Sequence, residues 1–213
     1  MIETFADRET LADAAANLLA ERLAKGGLFV ATGGSTPGPV YDRLARRDLP
    51  WDRITVTLTD ERRVDPAAEE SNERLLRGRL LVGLAAPARF LPLHDPKAAE
   101  ALLSPHLPAA VTLMGMGPDG HVASLFPGKP ELAEGMAGQR LVIPVAMSGQ
   151  PPFVARITLT RRALLQTGLI VLAVTGDDKR ALLERIAADP AYAPPAATFL
   201  RQTEVPVRTL WAT

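Results

Sequence analysis

The sequence predicts an α/β fold: a mostly parallel, doubly wound (Rossmann-like) sheet with helices on both faces, in one domain spanning residues 1–213. Three observations predict it. Apolar runs such as Leu28–Thr32, Val111–Met114 and Leu169–Thr175 are continuous rather than alternating, which marks strands buried on both faces. Segments with helical periodicity alternate with these runs along the chain. No internal repeat, low-complexity segment or linker divides the 213 residues, a length that one core can fill.

The elements follow in order. Met1–Lys25 reads as a helix after a short lead, with Leu11, Ala14, Ala15, Leu18, Leu19 and Leu23 at helical spacing and Gly26-Gly27 as the stop. Leu28–Thr32 is a buried strand ending in Gly33-Gly34, and a helix follows from Pro37 to Arg46, with proline favoured in its first turn. Ile54–Thr59 is rich in β-branched residues and ends in an acidic turn, Asp60-Glu61-Arg62. A loop with Pro66 leads to a helix near Ser71–Leu84, then a short strand at Phe90–Leu93 and a helix over Pro96–Leu107. Strands are expected at Val111–Met114, Leu141–Val145, Arg156–Thr160 and Leu169–Thr175. A helix over Asp177–Ala188 and a last strand at Val205–Trp211 complete the chain. Glu131 and Glu134 fall in a loop-like stretch, and the prolines near 144–152 and 190–195 mark loops.

Composition removes several function classes. Apolar residues make up 47% and charged residues 23%, which excludes disorder as the main state. Lys+Arg and Asp+Glu balance at 24 each, with no run of like charge, so neither nucleic acid nor an acidic membrane surface is an expected partner. Absence of cysteine excludes disulfides, thiolate catalysis and sulfur-ligated zinc. The acidic Met1–Glu9 segment lacks the apolar core of a signal peptide. The apolar runs fall far short of the ~20 residues that span a bilayer. A cytoplasmic enzyme, monomeric or weakly homo-oligomeric, is the expectation.

Three strands end in polar, glycine-rich or acidic segments: Thr32–Thr36, Asp60–Arg62 and Gly115–His121. In an open parallel sheet ligands bind beyond the carboxyl ends of the strands, so the three segments are expected to converge on one crevice. Gly33, Gly34, Ser35 and Thr36 offer small residues, two hydroxyls and a helix start, which suits a phosphate. It is not a Walker A loop, since the lysine and its spacing are missing. Gly115–Gly120 spells G-x-G-x-x-G, but Phe126-Pro127-Gly128 breaks the chain a few residues on. A dinucleotide fingerprint should instead open a long helix and meet an acid ~20 residues later.

The stretch GMGPDGHVASLFPG (115–128) closely resembles the signature of the 6-phosphogluconolactonases, whose wider superfamily includes glucosamine-6-phosphate deaminases. ATGGSTP (31–37), TDERRV with SN (59–64, 71–72), RITLT (156–160) and VTGDDKR (174–180) are similar to the family's other motifs, in the same order. The resemblance implies hydrolysis of 6-phosphoglucono-δ-lactone to 6-phosphogluconate. It implies His121 as general base, Asp119 and Arg62 as partners forming the site, and Gly34, Ser35, Thr36 and Lys179 as phosphate ligands. A lactone is an activated ester. It needs a deprotonated water, which histidine can supply near neutral pH, and charge stabilisation at the carbonyl oxygen. That stabilisation can come from Arg62 or from N–H groups of the glycine turn at Gly117. No metal, covalent nucleophile or cofactor is required.

Other residues have competing readings. Asp60 and Glu61 either line the site or pair with arginine. Asp177 and Asp178 read as a helix cap, Arg63 as a solvated neighbour of Arg62, and His94 and His106 as surface or packing residues without partners. The family often carries Lys-Pro-Pro before its RITLT motif; here Gln150 precedes Pro151-Pro152, and Arg156 is the candidate to replace the missing basic contact. Arg161-Arg162 follow that motif where the family commonly has Leu-Pro, without a functional reading. The related deaminases carry a glutamate five residues after the histidine; Phe126 stands there, which favours the lactonase. A non-catalytic sugar-phosphate sensor would be expected to carry a DNA-binding segment, and Met1–Lys25 is neither basic nor helix-turn-helix-like.

Overall fold

The computed structural model describes residues 2–213; Met1, the first residue of the expected N-terminal segment, lies outside them. In chain order the elements are β1 (Ile2–Thr4), α1 (Arg8–Leu23), β2 (Gly27–Ala31), α2 (Pro37–Leu44), β3 (Ile54–Leu58) and β4 (Asp60–Arg62). Next come α3 (Asn72–Arg79), β5 (Arg89–Phe90), α4 (Pro96–Leu103), β6 (Val111–Met114), α5 (Leu132–Ala137), β7 (Val142–Val145) and β8 (Arg156–Leu159). The chain ends with α6 (Arg161–Leu164), β9 (Ile170–Thr175), α7 (Asp177–Ala188), α8 (Pro195–Arg201) and β10 (Val207–Ala212).

Seven strands form one sheet in the order β1-β10-β9-β6-β2-β3-β5, and every pairing in it is parallel. Helices cover both faces: all residues of β3 and β6, and all but the first of β2, are buried, as a strand between two helical layers must be. α1 shows why its segment is helical. Asp7 accepts from the Thr10 amide at 2.7 Å and the Asp7 amide donates to Thr10 Oγ1, a capping box that satisfies donors at the helix start. Leu11, Ala12, Ala15, Ala16, Leu19 and Leu23 then form the buried face.

The structure revises several expectations. Asp60-Glu61-Arg62 is not a turn but the strand β4. It pairs antiparallel with β8, and β8 with β7, so the runs at 141–145 and 156–160 form a separate three-stranded sheet rather than joining the parallel one. In this register Arg62 stands directly opposite Arg156. The lead before α1 is an edge strand, β1, on β10. The helix expected to reach Leu84 ends at Arg79, ahead of a tight turn in which Gly83 has φ 55°. Two stretches expected to be loops contain α5, with Glu134, and α8, which opens at Pro195. No helix among the described residues is long and apolar enough to cross a membrane.

From β2 the chain moves outward through β3 to β5, then returns to β6 on the other side of β2 and proceeds to β9 and β10. The order therefore reverses between β2 and β6, and a crevice opens beyond the carboxyl ends of strands at such a switch point.

Candidate active site

A crevice of about 380 Å³ lies at this switch point. Its walls include Gly33, Gly34, Ser35 and Thr36 after β2, Asp60 and Arg62 on β4, and Gly117 and His121 after β6. Arg156 on β8 and Lys179 on α7 complete them. Of the residues expected at the site, Glu61 and Asp119 are not on the wall; Asp119 stands behind His121.

The glycine turn after β6 is closed by two bonds: the Gly117 amide to the His121 carbonyl at 2.9 Å, and the Gly120 amide to the Gly117 carbonyl at 3.1 Å. Asp119 Oδ1 accepts from the His121 backbone amide at 3.1 Å and lies 2.6 Å from His121 Nδ1. Burial alone would raise the Asp119 pKa. Bonds from the His121 side chain and backbone and from Gln150 bring it down to about 2. An ionised carboxylate can only accept, so Nδ1 carries the proton and the Nε2 lone pair is left for the crevice. The imidazole packs 4.5 Å, centroid to centroid, from the Phe126 ring. It also lies flat on Gly117, where a Cβ would come 2.0 Å from the ring carbon Cε1. Gly117 is therefore required by close approach. Ala123, two residues beyond His121 and on the crevice wall, has φ 50°, a strained conformation of the kind that collects at functional sites.

Next to the dyad lies the arginine pair. Arg156 is buried, with Nη1 3.6 Å from Asp60 Oδ2 and Nη2 donating to the Pro152 carbonyl at 3.3 Å. Burial lowers its pKa, Asp60 opposes that, and Arg62 adds to it; a guanidinium nonetheless stays charged. Arg62 donates from Nη1 to the Glu70 carbonyl. The Nε atoms of both arginines are buried without a partner. Asp60 accepts from Thr59 Oγ1 at 3.0 Å and Ser124 Oγ at 2.6 Å, so it both lines the site and pairs with arginine.

Glu61 is structural. Its carboxylate accepts from the amides of Arg62, Asn72 and Glu73 and from the Ser71 hydroxyl, at 2.6–3.0 Å, and so ties β4 to the start of α3. Burial pushes its pKa up against these four donors.

At the other end of the crevice, Ser35 and Thr36 sit at the start of α2, whose first turn has no side-chain cap. Pro37 and Pro39 carry no N–H, so of its first three positions only Gly38 has a backbone donor to offer an anion. Thr36 Oγ1 lies 3.4 Å from Thr175 Oγ1 at the end of β9. Lys179, in the first turn of α7, reaches in from the opposite side while its Nζ donates to Asp178 at 2.6 Å. Gly33 admits no side chain because the Asn72 amide occupies that space, 2.0 Å from a hypothetical Cβ. Asn72 in turn donates to the Asp60 carbonyl at 2.8 Å. It thereby locks the β2 turn to β4.

Sequence reasoning missed Asn72 as a site residue, although it lies within the SN motif. It also missed Arg8, which lines the crevice from the start of α1 and whose side chain, among the described residues, bonds only the Thr213 carbonyl, at 3.4 Å; nothing local in the sequence marks it. Four smaller readings change. The α7 cap is Gly176, and Asp177 and Asp178 fill the first turn instead. His94 has a partner, with Nε2 2.8 Å from Glu73 Oε2. Arg161 pairs with Glu204 at 2.7 Å and Arg162 bonds Gln139. Neither lines the crevice.

The fold and this crevice define an α/β enzyme whose crevice, at a switch point of the sheet, is lined by His121 of the histidine–aspartate dyad and by the start of α2. The chain belongs to the family of glucosamine-6-phosphate isomerases and 6-phosphogluconolactonases, whose sequence model matches residues 6–211. It is 49% identical to a 6-phosphogluconolactonase of Caulobacter vibrioides, over 99% of this chain and 97% of that protein. It is 36% identical to one of Mesorhizobium japonicum, over 98% and 93%. A crystal structure of a 6-phosphogluconolactonase from Shewanella baltica superposes with a TM-score of 0.92 at 29% identity, covering 100% of this chain and 97% of that one.

Proposed function

We propose that this chain hydrolyses 6-phospho-D-glucono-1,5-lactone to 6-phospho-D-gluconate in the oxidative pentose phosphate pathway, with His121 as general base. The observation that carries the reading is the dyad. Asp119 holds Nδ1, so Nε2 is presented to a crevice whose far end is built for a phosphate. Nε2 takes a proton from a water, the resulting hydroxide adds to the C1 carbonyl, and the tetrahedral oxyanion collapses. The C1–ring oxygen bond breaks, and the imidazolium returns its proton to that oxygen. The Gly117 amide is already bound to the His121 carbonyl, which leaves the guanidiniums of Arg62 and Arg156 to stabilise the oxyanion. Phe126 packs on the imidazole at the place where the deaminases carry their glutamate, which supports hydrolysis over aldose–ketose chemistry.

The whole of 1–213 acts in this reading as one cytoplasmic catalytic domain, monomeric or weakly self-associating, without cofactor or metal. Its test is the rate of acid release from freshly made 6-phosphogluconolactone above the spontaneous background, with and without exhaustive chelation. The same rate is expected in both. Ammonia release from glucosamine 6-phosphate in place of lactone hydrolysis would refute the reading.

The phosphate end gives a second expected result. Lys179→Ala lowers kcat/KM for the phosphorylated lactone by about tenfold or more, the size of one charge-assisted contact. It leaves the slow reaction with unphosphorylated gluconolactone unchanged. Arg8→Ala is expected to act in the same direction, since Arg8 is a further cation on the crevice wall. Equal losses on both substrates would remove these two residues from phosphate recognition.

A further inference from the structure

The chemistry above uses one oxygen of Asp119. The other, Oδ2, accepts from the side-chain amide Nε2 of Gln150 at 3.2 Å, the only donor to it among the described residues. Gln150 comes from the loop between β7 and β8, and that loop is itself tied down. Ser148 Oγ donates to the carbonyls of Gln150 and Pro152, each at 2.7 Å. The Ser148 amide bonds the Val154 carbonyl at 3.0 Å. A Cβ at Gly149 would stand 3.1 Å from the Phe126 ring, the ring that also faces His121.

A carboxylate held through one oxygen can still rotate about its Cβ–Cγ bond. A donor on the second oxygen stops that rotation and fixes the direction in which Oδ1 meets Nδ1. Burial raises the Asp119 pKa, while the bonds from His121 and Gln150 lower it to about 2, so the carboxylate stays charged over the whole working range. The identity of the donor therefore matters. An ammonium here would hold the same oxygen but would oppose the negative charge that acts on the imidazole.

We infer that Gln150 is a positioning residue for the reaction: as a neutral donor it fixes Asp119 against His121 while leaving the carboxylate's full charge to act on the imidazole. This rests on His121 as the base. Other charged groups of the crevice are Asp60 and Arg62 on β4, Arg156 on β8, Lys179 on α7 and Arg8 on α1. All are unchanged in the variants below, which isolates the effect of position 150.

The test compares Gln150→Ala, Gln150→Lys and Gln150→Glu by steady-state kinetics across pH and by proton NMR titration of the imidazole C2–H signals in the free enzyme. The chain has three histidines, and the His121 signal is the one missing from His121→Asn. Gln150→Ala is expected to lower kcat by about three- to tenfold, the size of one net hydrogen bond, with KM unchanged. Gln150→Lys, which keeps a donor, restores most of kcat at neutral pH and moves the acid limb of the rate profile to lower pH. Gln150→Glu moves it to higher pH. The His121 resonance is expected to titrate in the same order: Lys variant first, wild type next, Glu variant last. A resonance indifferent to the charge at 150, or an Ala variant that raises KM and leaves kcat intact, would overturn the inference. If the resonance follows the order and the rate profile does not, the positioning of the dyad stands and the assignment of His121 as base falls.

Discussion

Replacing His121 by asparagine is expected to lower kcat by about 10²–10⁴, the usual loss for a general base, with the fold intact. Asparagine fills similar space and can still donate toward Asp119, but it cannot take a proton from water. The ring belongs to a turn beyond β6 rather than to the core, so its removal costs little packing. Product affinity should survive almost unchanged, because in the proposed reading the phosphate is held by Ser35, Thr36 and Lys179 and not by His121. In the wild type the rate should fall on the acid side as the imidazole takes up a proton, once spontaneous hydrolysis has been subtracted. A folded His121→Asn protein with more than about a third of wild-type kcat, far outside the range for a lost base, would sink the assignment. Neither Glu61 nor Asp60 could rescue it: Glu61 is buried under the start of α3 with four donors, and Asp60 is occupied by Thr59, Ser124 and Arg156.

The second large effect needs no change to any ionisable group. Gly117→Ala would place a methyl 2.0 Å from the imidazole. Ordinary contact for such atoms is about 3.5–4.0 Å, so the ring must move by more than an ångström or the turn must open. A displacement of that size typically costs about 10²-fold in rate. The expected signature is a fall in kcat of that order, with phosphate affinity retained and the melting temperature shifted only modestly. A Gly117→Ala enzyme with wild-type kcat would show that the imidazole tolerates other positions. The dyad geometry would then not be the feature that matters.

Much of this was legible in the sequence, for reasons that differ by element. β2, β3, β6 and β9 announce themselves because a strand between two helical layers is buried on nearly every residue and is built from apolar and β-branched side chains. The glycine turn carries His121 within a motif too long to arise by chance. β4 was not legible. Asp60, Glu61 and Arg62 are charged and follow an apolar strand, which reads as a turn. Their strand conformation depends on pairing with β8, almost a hundred residues away, and no local pattern encodes that. Arg8 was invisible for a similar reason. It belongs to the site only because β1 and α1 sit beside the carboxyl end of β10. Gln150 appeared as the loss of an expected basic residue, and only the fold shows what its amide touches.

The register that sets Arg62 against Arg156 has a further consequence. Like charges opposite one another across a strand pair repel, and the charges of Asp60 and Glu61 act on Arg156 against that repulsion. In the proposed reaction the substrate's carbonyl is neutral on arrival, whereas the product leaves as a new carboxylate formed beside that pair. The attraction that stabilises the oxyanion does not end when the ring opens; it persists toward the finished acid. The enzyme must then let go of an anion at both ends, phosphate and carboxylate, while its substrate was held as an anion at only one. Turnover is thus set against retention: strengthening the arginine pair further would speed bond cleavage and lengthen the stay of the product.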